Sequence, residues 1–238
     1  MEIAPITNVQ ITSSMITVNR PQTQRWKFYP TIDNTTRNPY GISDESIELM
    51  RRKPIAKRLV SCYVRTPVDG ADYNGDMLPI GALLNAASPQ VEAMRKEPSY
   101  IERKSIYDKL PVFTPYCTLR YDFTIGFYYP IAYTCLIDFD IRQADNPTID
   151  LKELKRELPG LPQIAYYGLA SNGRDLFCIV PIAAPQRHCE IARALVGLFR
   201  RQGVVIRVDD YVTHTRTIST DPDGYFNGNA IEFTKFWD

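Results

Sequence analysis

The alternation of apolar and polar residues predicts a regular run of elements in the second half of the chain. Helices are predicted over Thr148–Leu158 and Gln186–Gln202, and the second repeats its apolar residues at helical spacing. Strands are predicted over Ala132–Ile141, Gln163–Gly168, Leu176–Ile182, Val204–Val208 and Thr215–Ser219. This order of elements indicates an α+β fold, with a mixed β-sheet and helices packed on one face.

The first half of the chain has little sustained periodicity. Residues 1 to about 115 are rich in Pro, Asn and Thr, and their helical patterns, near Ser43–Arg58 and Pro89–Leu110, contain or border prolines. We therefore predict two domains. Residues 1–104 form an irregular α/β extension whose role the sequence does not indicate, and residues 105–238 form the regular core.

Two aspartates interrupt the most apolar predicted strand. Because side chains alternate along a strand, Asp138 and Asp140 share one face, whereas Ile137 and Phe139 share the other. The two carboxylates are separated by about 6.5–7 Å of backbone, so they can converge on one hard cation or on a pair. Two-metal phosphoryl transfer places its cations about 3.5–4 Å apart. The pair therefore predicts a Mg²⁺ or Mn²⁺ site, and a solvated strand face is the alternative.

A third acid is available for this metal site. Asp209 and Asp210 directly follow the predicted strand Val204–Val208, so either carboxylate could meet the first pair at a strand end. Oxygen ligands from several carboxylates are what Mg²⁺ and Mn²⁺ prefer. The predicted metal ligands are therefore Asp138, Asp140, Asp209 and Asp210.

Two further segments carry candidate phosphate-binding groups. Ser171, Asn172 and Arg174 lie in a turn between two strands, where small residues let backbone N–H groups approach a phosphate and the guanidinium supplies two donors. His214 and Arg216 are two residues apart, so both lie on one face of their strand. Arg216 could bind a triphosphate, or it could simply pair with Asp209.

Overall charge and cysteine content restrict the class of protein. The chain has 28 Lys+Arg against 27 Asp+Glu, a net charge of +1, which argues against coating nucleic acid by bulk charge. None of its five cysteines forms a C-x-x-C pair. No segment is predicted to cross a membrane, and no signal peptide is recognised at the N-terminus. We expect a cytoplasmic protein with no membrane partner.

The second half of the chain resembles a known family. Its pieces occur in the family's order over about Ser105 to Phe233, and this segment is similar to the N-terminal domain of virulence-associated protein E. Those domains resemble the catalytic core of archaeo-eukaryotic primases. The matching pieces are Lys109-Leu110-Pro111, the D-x-D within Leu136–Ile141, the stretch Ser171–Ile182 (SNGRDLFCIVPI) and the stretch Arg216–Asn227 (RTISTDPDGYFN).

The resemblance implies a primase/RRM-like catalytic core with assigned residues. The family's acidic pair is matched by Asp138 and Asp140, and its apolar-acid motif by Val208 and Asp209. The position of the family's nucleotide-binding histidine is Phe177. The implied catalytic residues are Asp138, Asp140 and Asp209, and the implied nucleotide-binding residues are Ser171, Asn172, Arg174, His214 and Arg216.

The function that the resemblance implies is that of a nucleotidyltransferase domain in a DNA replication protein, for example of a mobile element. It would use Mg²⁺ or Mn²⁺, nucleoside triphosphates and a single-stranded DNA or RNA template, with a helicase domain or subunit as a partner. Two alternatives stay open. Phe177 favours a non-catalytic module that binds single-stranded nucleic acid, and the acid cluster equally suits a metal-dependent nuclease.

Overall fold

The computed structural model describes residues 40–64, 76–84, 86–122, 124, 127–209 and 211–236. Part of the predicted irregular N-terminal region lies outside these residues. Asp210 lies outside them as well. The described chain has the predicted α+β fold. None of its helices is both long enough and apolar enough to cross a membrane.

Four of the six described α-helices follow a residue whose side chain caps them. The six helices are α1 (Asp44–Arg52), α2 (Ile80–Leu84), α3 (Pro89–Lys96), α4 (Tyr100–Lys109), α5 (Leu151–Glu157) and α6 (His188–Arg201). A side-chain oxygen accepts a hydrogen bond from the first turn at Ser43, Ser88, Ser99 and Asp150. The predicted helix Pro89–Leu110 is thus two helices. Pro98 holds the preceding residue in an extended conformation, and Ser99 then starts α4.

The strands form three sheets. They are β1 (Leu59–Val64), β2 (Asp76–Pro79), β3 (Pro111–Phe113), β4 (Cys117–Asp122), β5 (Phe127–Tyr133), β6 (Leu136–Ile141), β7 (Tyr166–Leu169), β8 (Leu176–Pro181), β9 (Arg207–Val208), β10 (Arg216–Thr217) and β11 (Tyr225–Phe226). Their orders are β10-β3-β1-β2, β11-β7-β8-β6-β9 and β4-β5. All described pairs of these strands are antiparallel. The parallel part of the predicted mixed sheet is one isolated bridge, Ile182 to Phe233.

The predicted strand Ala132–Ile141 is divided by a sharp bend. Cys135 has φ 55°, a left-handed conformation that does not continue a strand. The buried Arg58 donates hydrogen bonds to the carbonyl oxygens of Thr134 (3.3 Å) and Cys135 (2.9 Å). The bend ends β5 and starts β6 at Leu136, which fixes the face on which each later side chain of β6 lies.

The predicted strand Val204–Val208 is shorter than its apolar run, because a side chain replaces its strand partner. Asn146 accepts a hydrogen bond from the Val205 N–H at 2.8 Å and donates one to the Val205 carbonyl at 2.9 Å. Only Arg207–Val208 pairs with β6. Strand β10 is also shorter than predicted, since it covers only Arg216–Thr217 of the predicted strand Thr215–Ser219.

Strand β6 lies between two packed layers. On one face, Ile137, Phe139 and Ile141 join a core that includes apolar residues of α1, α5 and α6, as predicted. On the other face, Leu136 packs in a cluster with Val60 of β1 and Phe113 of β3, in the four-stranded sheet. That sheet takes strands from both sides of residue 104, where we predicted a domain boundary.

Candidate active site on strand β6

Asp138 and Asp140 lie on the same face of β6, as the alternation predicts. Both carboxylates contact one arginine, whereas Ile137, Phe139 and Ile141 are buried on the helix side. In the register with β8, Asp138 is opposite Ile179 and Asp140 is opposite Phe177. The charged face of β6 therefore points toward the four-stranded sheet.

Arg216 reaches this face from β10, in the other sheet. Its Nε donates to Asp138 Oδ2 at 2.6 Å, its Nη2 also contacts that oxygen, and its Nη1 donates to Asp140 Oδ1 at 2.8 Å. The guanidinium carbon lies 4.5 Å from the centre of the Phe177 ring, a cation–π contact. Both partners are shielded, since the side chains of Arg216 and Asp138 are 9% and 8% exposed. The predicted protein partner of Arg216 was Asp209, and the partners in the structure are Asp138 and Asp140.

The ion pairs shift the pKa values of Asp140 and Arg216 toward their charged forms. Burial alone would raise the pKa of Asp140, but the charge and hydrogen bonds of Arg216 and Arg142 lower it overall. Burial alone would lower the pKa of Arg216, but Asp138 and Asp140 raise it well above its ordinary value. The charges within the site are therefore balanced internally at neutral pH.

Asp209 approaches the pair from the opposite neighbour of β6. Strand β9 is antiparallel to β6, and Val208 pairs with Phe139. The next residue, Asp209, therefore lies beside Asp138. The Asp209 carboxylate lies 2.8 Å from His214 Nδ1, and His214 Nε2 lies 3.9 Å from Asp138 Oδ2. The imidazole thus connects the third predicted acid to the first.

This connection changes the titration of both groups. Burial would lower the pKa of His214, but the hydrogen bond to Asp209 and the charge of Asp138 raise it above its ordinary value. Burial would raise the pKa of Asp209, but its hydrogen bond and charge interaction with His214 lower it overall. His188, a residue that sequence reasoning did not select, fixes this segment through its Nε2, 2.8 Å from the Asp209 carbonyl oxygen.

The carboxylates offer suitable metal ligands, but Arg216 now holds them. No cluster of three or more His, Cys, Asp or Glu side chains is arranged for a metal ion within the described residues. Asp138, Asp140 and Asp209 supply the hard oxygen donors that Mg²⁺ and Mn²⁺ need. A cation at Asp138 and Asp140 would compete with the guanidinium for the same oxygens.

The turn between β7 and β8 satisfies its own backbone donors. The side-chain oxygen of Asn172 accepts from the N–H groups of Arg174 (3.0 Å) and Asp175 (3.1 Å), and Gly173 donates to the Ala170 carbonyl at 2.9 Å. These donors are therefore not available to cradle a phosphate, contrary to the expectation for this loop. What remains for an anion is the exposed Arg174 side chain.

Arg95 packs closely against the small residues of this turn. This arginine was not identified from the sequence. A Cβ on Gly173 would lie 3.0 Å from Arg95 Cδ. Arg95 donates to the carbonyl oxygens of Ala170 (2.9 Å), Ser171 (3.2 Å) and Thr220 (2.9 Å). This arginine lies in α3, where nothing matches the family pattern, so no local signal could have revealed it.

The predicted nucleotide-binding residues therefore divide between two places. His214 and Arg216 belong to the carboxylate cluster. Ser171, Asn172 and Arg174 line a pocket of about 570 Å³ beside α3 and α4. The two places are joined by strand β8, since Phe177 lies opposite Asp140.

No family model, curated protein or solved structure matches this chain. The likeness to primase-like domains therefore stays a prediction that the residues themselves carry.

Proposed function

We propose that this chain is a primase-like nucleotidyltransferase domain, which joins nucleoside triphosphates on a single-stranded nucleic-acid template. One observation supports the proposal most. Asp138 and Asp140 on β6, Phe177 on β8 and Asp209 after β9 occupy three neighbouring strands of one sheet, although up to 71 residues separate them in sequence. These are the positions that the family resemblance assigns to its three motifs.

The carboxylates would hold the divalent cation that the reaction needs. When bound, Mg²⁺ or Mn²⁺ supplies activation of the attacking oxygen and neutralisation of the charge on the transferred phosphate. Asp138 and Asp140 bind that cation from one strand face, and Asp209 is the third carboxylate. Oxygen donors fixed on strands are positioned more precisely than donors on loops.

Arg216 would have a second role in the same site. Its guanidinium would bind the triphosphate, for which its paired donors are suited, while Asp138 and Asp140 would hold the cation. His214, held by Asp209, has its other ring nitrogen toward Asp138 and would donate a hydrogen bond to a phosphate oxygen. The residues that now form ion pairs with one another would thus bind the cation and the nucleotide.

The test is synthesis on single-stranded DNA in the presence of Mn²⁺, assayed both as dinucleotide formation and as primer extension. Asp138→Asn should lower the rate at least about 100-fold, because the charge needed for the cation is lost. Asp223→Asn, which changes an exposed turn residue, is the matched control and should keep the wild-type rate. Equal rates for wild type and Asp138→Asn would refute the catalytic assignment.

A non-catalytic binding module is the second candidate. Two observations favour it: Phe177 stands where the family's histidine is expected, and Arg216 already pairs with both carboxylates. This candidate predicts DNA binding without any synthesis. Cleavage of labelled DNA with Mn²⁺ but no nucleotide would instead indicate a nuclease. In each case we expect a cytoplasmic protein of DNA replication that works with a helicase domain or subunit.

A further inference from the structure

A basic groove lies beside the turn between β7 and β8, apart from the carboxylate cluster. Its pocket of about 570 Å³ is lined by four cationic side chains and one carboxylate, that of Asp108. The cationic residues are Arg95, Arg103, Lys104 and Arg174. The chain as a whole carries a net charge of only +1, so this concentration of positive charge is local.

One face of helix α4 forms a wall of the groove. Tyr100, Arg103, Lys104 and Tyr107 recur at i, i+3, i+4 and i+7, the spacing of a single helix face. None of the α4 residues is fully buried, and the helix is attached through partial packing of Ile106 and Tyr107 on a small cluster. Most helices are stabilised by burying an apolar face, so a polar helix such as α4 needs another explanation.

Two of the four cations have no partner within the described part of the chain. Arg95 binds carbonyl oxygens, and Lys104 pairs with Asp108 at 2.5 Å. The side chains of Arg103 and Arg174 have neither an ion pair nor a hydrogen bond among the described residues. Arg103 lines the groove and is half-buried as a residue, so its guanidinium is held there and is suited to bind an external anion.

An exposed aromatic ring stands next to these cations. The side chain of Tyr100 lies in the groove lining and is 70% exposed. Separated guanidinium groups with an accessible aromatic ring form the arrangement that binds single-stranded nucleic acid, by phosphate contacts and base stacking. A triphosphate site more often gathers backbone N–H donors, which this turn has already used within itself.

The groove is connected to the proposed active site. Arg174 precedes Phe177 by three residues, about 10 Å of extended chain, and Phe177 is opposite Asp140. Arg95 also ties the turn to Thr220, four residues after Arg216. A single-stranded nucleic acid bound in the groove can therefore extend toward the carboxylates.

We propose that Arg103, Arg174 and Tyr100 form the binding groove for the single-stranded template. This inference rests on the proposed function for its meaning, because it names where the template of that reaction is held. Binding in the groove does not itself need a metal ion or nucleotide.

The test measures fluorescence anisotropy of a labelled single-stranded oligothymidylate with the full chain, in EDTA and at several salt concentrations. Arg103→Ala/Arg174→Ala should raise Kd at least about tenfold and reduce the salt slope by about 1.4, or 0.7 for each phosphate contact. The matched control, Arg156→Ala/Arg193→Ala, removes equal charge from exposed positions on α5 and α6 and should bind like wild type. Unchanged affinity in the groove variant, or equal loss in both variants, overturns the proposal.

The aromatic contact is tested separately. Tyr100→Ala should weaken binding about tenfold, whereas Tyr100→Phe, which keeps the ring, should bind like wild type. Equal affinities for Tyr100→Ala and wild type would overturn the role of stacking. Thermal unfolding of each variant shows whether a lost affinity reflects a lost fold, and the proposal requires a wild-type Tm with weakened binding.

Two further measurements separate this inference from the proposed function. Asp138→Asn should bind the oligonucleotide with wild-type affinity. If Asp138→Asn also kept the wild-type rate of synthesis, the proposed function would be refuted, but the binding groove would not. Binding of labelled ATP with Mg²⁺ identifies the ligand of the pocket. If Arg103→Ala/Arg174→Ala loses ATP but keeps the oligonucleotide, the groove belongs to the nucleotide and the template proposal is wrong.

Discussion

Arg216 and Arg95 are both shielded arginines that hold distant segments together, but their partners differ in chemistry. Their side chains are 9% and 14% exposed. Arg216 binds two carboxylates, those of Asp138 and Asp140, from a strand of the other sheet. Arg95 binds mainly uncharged oxygens of the β7–β8 turn and of the segment after β10.

The difference shows which of the two clusters can respond to a ligand. Carbonyl oxygens satisfied by Arg95 offer little to any other cation in that place, so its role is structural. Carboxylates keep their charge and can exchange one cation for another. Buried ion pairs are often less stabilising than apolar residues of the same volume. Stability alone therefore does not explain the pair of Asp138 and Arg216, which supports the proposed function.

The largest effect is expected from breaking the charged cluster. Arg216→Met should lower the free energy of unfolding by about 3–5 kcal/mol, because buried carboxylates lose their counter-charge. Urea unfolding measures this loss. Asp138→Leu/Arg216→Met, which leaves Asp140 with Arg142 as its remaining cationic partner, should recover part of the stability but show no synthesis. A double variant as unstable as Arg216→Met would mean that the pair is needed for folding.

Breaking the neutral cluster should cost less. Arg95→Met leaves the carbonyl oxygens of Ser171 and Thr220 without this donor and should lower the free energy of unfolding by about 2 kcal/mol. It should leave Mn²⁺ affinity, measured by electron paramagnetic resonance of the free ion, unchanged. Under conditions where Arg216→Met is folded, that variant should bind Mn²⁺ more tightly. Equal Mn²⁺ affinities in the two variants would contradict the comparison.

His214 is a second cation on the carboxylate side, and it makes that side sensitive to pH. Its pKa is raised above 6.5, so its stabilising effect is complete below pH 6.5 and is lost as the pH rises through the raised value. The pKa of Asp209 is lowered from 3.8, so the pair is also lost when the pH falls through that lowered value. Between these two pH limits, we expect the free energy of unfolding of the wild type to exceed that of His214→Gln by about 1 kcal/mol. Urea unfolding across the pH range measures the difference, and a pH-independent difference would contradict the pairing.

The smallest effect concerns the space that Arg95 occupies. Gly173 and Gly41 have nearly equal left-handed φ values of 68° and 66°. Alanine at either position should cost about 1 kcal/mol in backbone strain. Only the Cβ at 173 meets a neighbour, Arg95 Cδ at 3.0 Å, whereas the Cβ at 41 meets nothing within 4 Å. Gly173→Ala should therefore lower the free energy of unfolding, measured in urea, more than Gly41→Ala. Equal losses would mean that the Arg95 side chain moves aside at no cost.

Local rules explain what the sequence could predict. The period of two along β6 places Asp138 and Asp140 on one face, and the helical spacing in α6 identifies its buried face. The α+β class follows from the order of these elements. The boundaries fail where a non-local group intervenes, as when the Asn146 side chain replaces a strand partner of Val205.

The partners of the charged residues could not be predicted in this way. Arg216 meets Asp138 only because β10 joins β3 in a sheet that packs against β6, and no local pattern encodes that packing. The turn residues Ser171–Arg174 suggested a phosphate cradle from composition alone. Their N–H donors are satisfied within the turn, and the Ser171 carbonyl oxygen accepts from Arg95, which is 76 residues distant. Asp210 lies outside the described residues.

The most direct measurement is the anomalous difference density of a crystal soaked with Mn²⁺ and a nucleoside triphosphate. We predict a manganese peak about 2.1 Å from carboxylate oxygens of both Asp138 and Asp140, with Arg216 moved from these oxygens to the phosphates. Density that leaves Arg216 bridging the two aspartates, with manganese absent or bound elsewhere, would contradict the account.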